Sequence, residues 1–439
     1  MKLKKTMLLI FIIILISLRC DTTEPPPNKA SLSLTLEDVS CTEAWLQLKL
    51  SNVPLPSLVT LYKNGAVAQN NILCYGDTLL YVDSLLPNQT YTFQISSIPQ
   101  SGGQYPASSN KATSTTLDST SHNFIWEIET IGDYGSYALD VAVINENDIW
   151  LVGQFYERFG SDTVYNAAHW DGIKWELILI PVKAFGGHFS RAPLRAIFCI
   201  RNELWVIGDA GGYAHLKNNN WSTEFNDVAS ATTNKIWGPS VNRLYFVGPS
   251  GAITYYDGQS FQKMESNTDV NITDIYGTLD GKEIWACGWN DSDGNSVLLR
   301  LNGNKWEKIY EKNVLTNNLP YNSFLSSLWI DDNKAFFLTG IAYGIVKHSI
   351  VDKRMAIADL FNRNNFAYRI RGNAVNDLFL AGDAGMVWHF NGTSWRQYLE
   401  LFNQNSILRS VSIKGNIVIA AGLYFSDILS KALVIKGKR

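Results

Sequence analysis

Seven positions in this chain of 439 residues recur at one spacing, and as a group they could bind an anion. Counting back thirteen residues from a recurrent glycine, or fourteen where one turn is longer, gives Asp140, Arg195, Lys235, Asp274, Ser327, Arg369 and Arg409. Four cations against two carboxylates would favour a carboxylate, sulfate or phosphate group, and a guanidinium offers such groups two parallel donors. A plainer reading has these charges paired with one another as solvated channel lining. The segments just past the same glycines carry aromatic side chains. Tyr156, Phe189, Trp289, Tyr321 and Tyr424 are the ones expected at a ligand, with Phe155, Phe159, Phe185 and Phe425 nearby. Rings around a polar centre suit a polysaccharide or a protein surface, while packing of the loops on themselves is the alternative.

Other constellations argue against particular chemistries. His169, His215 and His389 recur at one position but in different repeats, so they cannot converge on a metal ion as a zinc site requires. Asp291, Asp293 and Asn295 open like a calcium loop, yet Ser296 stands at the sixth position and Asn302 at the twelfth. Asp140 and Asp274 are the only carboxylates of the seven positions and lie three repeats apart, which gives thin support to a glycosidase needing two carboxyls roughly 5–10 Å apart. No nucleophile elbow, phosphate-binding loop or dinucleotide fingerprint occurs. No catalytic residue, metal or cofactor is expected. A net charge of -3 predicts no attraction to nucleic acid.

The glycines that set the count end near-copies of one hexapeptide: DIWLVG at 148–153, ELWVIG at 203–208, RLYFVG at 243–248, EIWACG at 283–288, AFFLTG at 335–340, DLFLAG at 377–382 and IVIAAG at 417–422. Short apolar runs at a period near forty residues are the mark of a propeller array. Each repeat reads as four strands, with the hexapeptide second and an Asn-Gly or Asp-Gly turn before an aromatic leading into the fourth, as at Asp171–Gly172, Asp257–Gly258, Asn302–Gly303 and Asn391–Gly392. The last repeat lacks a fourth strand, and Phe124–Ile128 looks like a fourth strand with no repeat before it. Pairing the two would close the ring and remove an exposed edge. Segments 154–166, 181–193, 289–295, 311–323 and 423–430 exceed the short turns elsewhere and would form the variable, functional face.

Ahead of the repeats, residues 30–117 show short alternating strands without the forty-residue period, which predicts a separate two-sheet sandwich. Cys41 and Cys74 fall near opposite poles of it, so no disulfide is expected; Cys199 and Cys287 lie in apolar strands and read as buried thiols. At the start, basic residues 1–5, an apolar run of twelve at 7–18 and Cys20 follow the order of a signal peptide, and the run is shorter than the about 20 residues a spanning helix needs. Residues 21–29, with three consecutive prolines, read as a stiff tether.

Three resemblances follow from these residues. The signal at 1–20 resembles those of bacterial lipoproteins, which implies export to the cell envelope, lipidation at Cys20 and attachment to the outer membrane or cell surface through that lipid alone. Leu86-Pro87 ahead of Tyr91, with Trp45 as core aromatic, resembles a fibronectin type III domain. Leu194-Arg195-Ala196-Ile197, Val206-Ile207-Gly208 and Asp171-Gly172 ahead of Trp175 resemble the propellers of photosystem II assembly factors and sialidase-like repeats, although the Ser-x-Asp-x-Gly box of true sialidases is missing. The expected architecture is therefore all-β: signal at 1–20, tether at 21–29, sandwich at 30–117, and a seven-bladed propeller at 118–439 closed by its first and last strands. The expected function is non-catalytic binding of a protein or polysaccharide at the loop-rich face. A glycoside hydrolase or lyase at that face, or a scaffold for assembly of an envelope complex, are the alternatives.

Overall fold

The computed structural model describes residues 30–98, 107–208, 211–225, 233–290, 292, 295–311, 324–331, 334–340, 344–349, 355–358, 365–426 and 429–439. The signal, Cys20, the tether, Asp291, Asp293 and Tyr321 lie outside these residues. Among the described residues no helix is long and apolar enough to cross a membrane. Two compact units are present. One takes the described residues of Met1–Glu37, Leu46–Leu80 and Tyr91–Ser114; the other takes Asp38–Trp45, Tyr81–Thr90 and Thr115–Arg439.

The described residues of 31–115 form two sheets. Ser31–Val39, Ala44–Ser51 and Thr78–Val82 lie in that order in one, and Ala66–Cys74, Ser57–Lys63, Thr90–Ile98 and Ala112–Thr115 in the other. Alternation along the strands buries Leu32 and Leu34, Leu46 and Leu48, Val59 and Leu61, Phe93 and Ile95. Trp45 is 1% exposed, as its place in the core requires.

From residue 125 onward the described strands build seven four-stranded antiparallel sheets, and in each the hexapeptide is the second strand. The expected Asn-Gly and Asp-Gly turns are present, with Gly172, Gly258 and Gly392 at φ of 96, 97 and 95°. In six sheets the four strands run consecutively. The seventh joins Ser406–Lys414, Ile417–Ser426 and Leu429–Lys438 to Ile125–Ile131, so the closing strand comes from the far end of the repeat region.

Apolar clusters glue each sheet to the next. Val141, Ile149 and Leu151 of the first sheet pack on Ile419 and Val434 of the last, completing a ring that runs through six further clusters. Each fully buried Leu, Ile or Val contributes about 1.5–3 kcal/mol, so this repeated interface dominates stability. At four of the seven repeats the recurrent glycine has a steric origin, whereas at Gly208 an added Cβ would meet nothing nearer than 3.5 Å. A Cβ at Gly153, Gly288, Gly382 or Gly422 would come within 2.1, 1.8, 2.2 or 1.8 Å of the first-strand carbonyl oxygen of Tyr137, Asn271, Phe366 or Ile407.

Some local expectations change. Residues 423–426 and 429–430 are strand rather than loop: the second and third strands run on as far as the pair Ser426–Leu429. Phe155 continues its strand into the core and is fully buried. The four described cysteines are free; Cys199 is only partly buried because it opens onto one mouth of the central channel.

Candidate functional site

The seven counted positions do not stand on one level. In most first strands a β-bulge leaves one residue unpaired opposite the end of the hexapeptide: Leu139, Arg195, Thr273, Ser326, Tyr368 and Arg409. Asn234 takes the same place in the third sheet, where its amide donates to the Val247 carbonyl. The next residues along are Asp140, Ala196, Lys235, Asp274, Ser327, Arg369 and Ser410. A fixed count from the glycine therefore lands on the bulge at Arg195 and Arg409 and one residue beyond it elsewhere, because a bulge inserts a residue into one strand only.

The residues beyond the bulges make a buried ion-paired layer across the channel. Lys235 Nζ donates to both oxygens of Asp140 at 2.7 and 2.6 Å, and Ser410 Oγ and the Ile197 amide add bonds of 2.6 and 3.0 Å. Asp274 takes a two-pronged contact from Arg371 at 2.9 and 2.7 Å, an Arg369 contact at 2.7 Å, the Leu328 amide at 3.1 Å and the hydroxyl of Ser327. Burial alone would raise the Asp274 carboxyl, but Arg369 and Arg371 overcome it and hold the group well below the usual carboxylate range. Asp140 is lowered in the same way, chiefly by Lys235. Burial outweighs Asp140 at the lysine, whose ammonium falls to about 8. Three cations face two carboxylates here, so the layer keeps one positive charge.

Above this layer, on the side of the repeat glycines, lies a cavity of about 470 Å³ lined by the bulge residues together with Tyr137, Trp289, Arg369 and Leu423. Among the described residues its lining holds three guanidiniums, Arg195, Arg369 and Arg409, and no carboxylate. Arg409 lies over the ring of Tyr368 at 4.7 Å. Arg369 spends one nitrogen on Asp274 and the Thr273 carbonyl, while its Nε is buried without a hydrogen-bond partner. A buried donor left unpaired costs about 1–3 kcal/mol, which an acceptor in the cavity would recover. Trp289 forms part of the wall, packed between Phe324 and Phe366 with centroids 4.9 and 5.3 Å away.

The other expected rings stand elsewhere. Tyr156 packs in a tight loop, its amide bonded to Ser136 Oγ at 3.0 Å. Phe189 is 64% exposed on the small hairpin of Val182–Lys183 and Phe189–Ser190. Tyr424 pairs across the long hairpin and packs against the core between the last two sheets. A larger cleft, about 830 Å³, runs along the outer strands Phe261–Met264 and Lys305–Glu311. Its Tyr245 and Trp306 are each 3% exposed and offer no open ring face.

Two features escaped the sequence reading. Arg371, two residues past Arg369 and so on the same strand face, joins the buried layer. The recurring histidines pair within their own sheets: His169 with Asp148 at 2.9 Å, His215 with Glu203 at 2.8 Å and His389 with Asp377 at 3.0 Å, each stacked on a hexapeptide aromatic. In the fourth sheet Arg300 takes the same place against Glu283. An acid opening the hexapeptide and a His or Arg on the third strand were the available signal. These histidines are structural, and among the described residues no cluster of His, Cys, Asp and Glu could hold a metal ion.

No family profile matches the chain. Over 139 residues it is 30% identical to the protein named Immune protein Tsi7 of Pseudomonas aeruginosa; the match spans 30% of this chain and 42% of that relative, less than half its length. The structure of YCF48 bound to a D1 peptide superposes with a TM-score of 0.54 at 15% identity, covering 72% of this chain and 95% of that one. YCF48 from Cyanidioschyzon merolae gives 0.50 at 13% identity, with 71% and 98% covered. At such identities the likeness shows the fold: this is an all-β protein carrying a β-propeller closed by its first and last strands.

Proposed function

We propose that the chain is a non-catalytic binding protein that receives an anionic group of a protein partner in the cavity of Arg195, Arg369 and Arg409. The observation that carries this reading is a cavity with three guanidiniums and no carboxylate in its described lining, above a layer that is itself net positive. Neither Asp140 nor Asp274 can serve as a general acid or base, since both are fully buried and held by cations, which argues against the hydrolase alternative. The peptide bound to YCF48 and the immune role named for the Pseudomonas relative both fit a protein partner better than a polysaccharide. Residues 1–20 would export the chain and Cys20 would tether it to the envelope by a lipid, with 21–29 as spacer. Residues 30–117 would be a fibronectin type III-like module holding the propeller, 118–439, away from the membrane. The strand orders of its two sheets support that assignment.

Thermal melting at constant ionic strength with added acetate, phosphate or an acidic peptide tests the site. A ligand at about 100 times its Kd adds about 2.7 kcal/mol to stability. At least one of these anions should raise the Tm of the natural protein and not that of Arg195→Ser/Arg409→Ser. Equal responses in both would remove the site from consideration.

A further inference from the structure

The seventh sheet is closed by Ile125–Ile131, and the segment just before it is strapped to the sixth sheet. Thr120 donates through its amide to the Asn391 carbonyl at 3.1 Å and through its hydroxyl to the Asn376 carbonyl at 2.5 Å; Tyr398 donates to the His122 carbonyl at 2.9 Å. The strap ends in a direct contact between imidazoles, His122 Nδ1 to fully buried His389 Nδ1 at 2.8 Å, with the rings edge to face. His389 Nε2 faces Asp377 Oδ1 at 3.0 Å. The same carboxylate holds the last residue of the chain, Arg439, through two contacts of 2.9 and 2.6 Å, and also takes Asn373 Nδ2 at 2.8 Å. Both ends of the repeat region thus converge on Asp377.

The contact between two ring nitrogens has room for one hydrogen. Asp377 requires the N–H of His389 at Nε2, so His389 Nδ1 must accept, His122 Nδ1 must donate, and His122 Nε2 accepts from Ser394 Oγ at 3.2 Å. One tautomer set satisfies every partner. One added proton is accommodated if the His122 hydrogen moves to Nε2, where Ser394 Oγ can accept it, and the ring contact still holds one hydrogen; a further proton would set two N–H groups face to face at Nδ1.

We propose that His122 and His389 form an acid-sensitive latch: protonation of both rings expels His122, releases the strap and frees the closing strand. Asp377 favours a proton on His389, while Arg439 beside His389 and Arg396 beside His122 oppose positive charge; Thr120, Ser394 and Tyr398 are the neutral polar groups around the pair. Burial, His389 and Arg396 hold His122 down to about 4, and burial keeps His389 below the ordinary value despite Asp377. Depressed histidines leave the unfolded state binding more protons between about pH 6.5 and 4, so stability is complete above that window and falls as pH drops through it.

Hydrogen exchange at pH 7.5 and 4.5, corrected for intrinsic rates, reads the latch. In the natural protein, amide protection in Ile125–Ile131 and Leu429–Lys438 should fall about tenfold at the lower pH, with the sheets opposite them in the ring unchanged. His122→Phe should be less protected in these strands already at pH 7.5 and change little further, whereas Ser394→Ala, which keeps the nitrogen–nitrogen contact, should respond as the natural protein does. An equal acid response in His122→Phe, or acid opening that begins in another sheet, would overturn the proposal. Should His122→Phe fail to fold, NMR titration of the natural protein decides: the pair must take up no more than one proton until the two strands exchange, and titration of both rings near 6.5 in the closed protein rejects the latch.

Discussion

Arg409 and Ser410 are neighbours on one strand, as are Tyr368 and Arg369, yet the two levels they belong to obey different rules. The bulge residues face an open cavity, where Arg195 and Arg409 keep contact with solvent and a neighbouring phenol. One position further on, Asp140, Lys235 and Asp274 have left water and survive only through dense mutual pairing. An ion taken from water costs several kcal/mol unless its partners replace the lost hydration, so the inner level is bound to be structural and the outer level is free to be used. Arg369 belongs to both, with one nitrogen on Asp274 and another turned from any partner.

Substitutions can break this contrast. The largest effect should come from Asp274→Ala, which strands Arg369 and Arg371 as buried cations; a loss of roughly 3–5 kcal/mol in urea unfolding is expected. Lys235→Met should cost somewhat less, about 3 kcal/mol, because Asp140 retains Ser410 and the Ile197 amide. Acid should act on the same level. The depressed carboxyls of Asp140 and Asp274 contribute fully above their unfolded value near 3.8 and lose that contribution as pH falls below it. Unfolding midpoints should therefore drop between about pH 4 and 2, and with a shallower slope in Asp274→Asn, measured by urea titration at each pH. The smallest effect on stability belongs to Arg409→Ser, within about 0.5 kcal/mol, since it removes an outer-level cation from no buried pair.

The architecture was legible because its signals are local and repeated. The hexapeptide marks the second strand of every sheet, Asp171–Gly172 and Asn391–Gly392 mark hairpins, and the orphan strand near Phe124 foretold the closure with Leu429–Lys438. The site was legible only in part. Its arginines were found, but a bulge leaves no mark in a single sequence, so Arg195 and Lys235 were counted onto one level although the fold separates them. Aromatic residues misled for a related reason: Phe155 and Tyr424 look like loop residues until the strands are seen to run on past the glycine. Arg371 and the pairing of His389 with Asp377 depend on which strand faces point at each other, a property of the assembled ring.

Adjacent levels of the channel divide the labour, and one paired measurement tests that division: thermal melting of Arg409→Ser and Lys235→Met with and without the anion that stabilises the natural protein. Arg409→Ser should melt within about 2 °C of the natural protein and lose the anion-induced rise, while Lys235→Met melts far lower. If Arg409→Ser unfolds as readily as Lys235→Met, or keeps the full anion response, the outer level is not a separate binding surface.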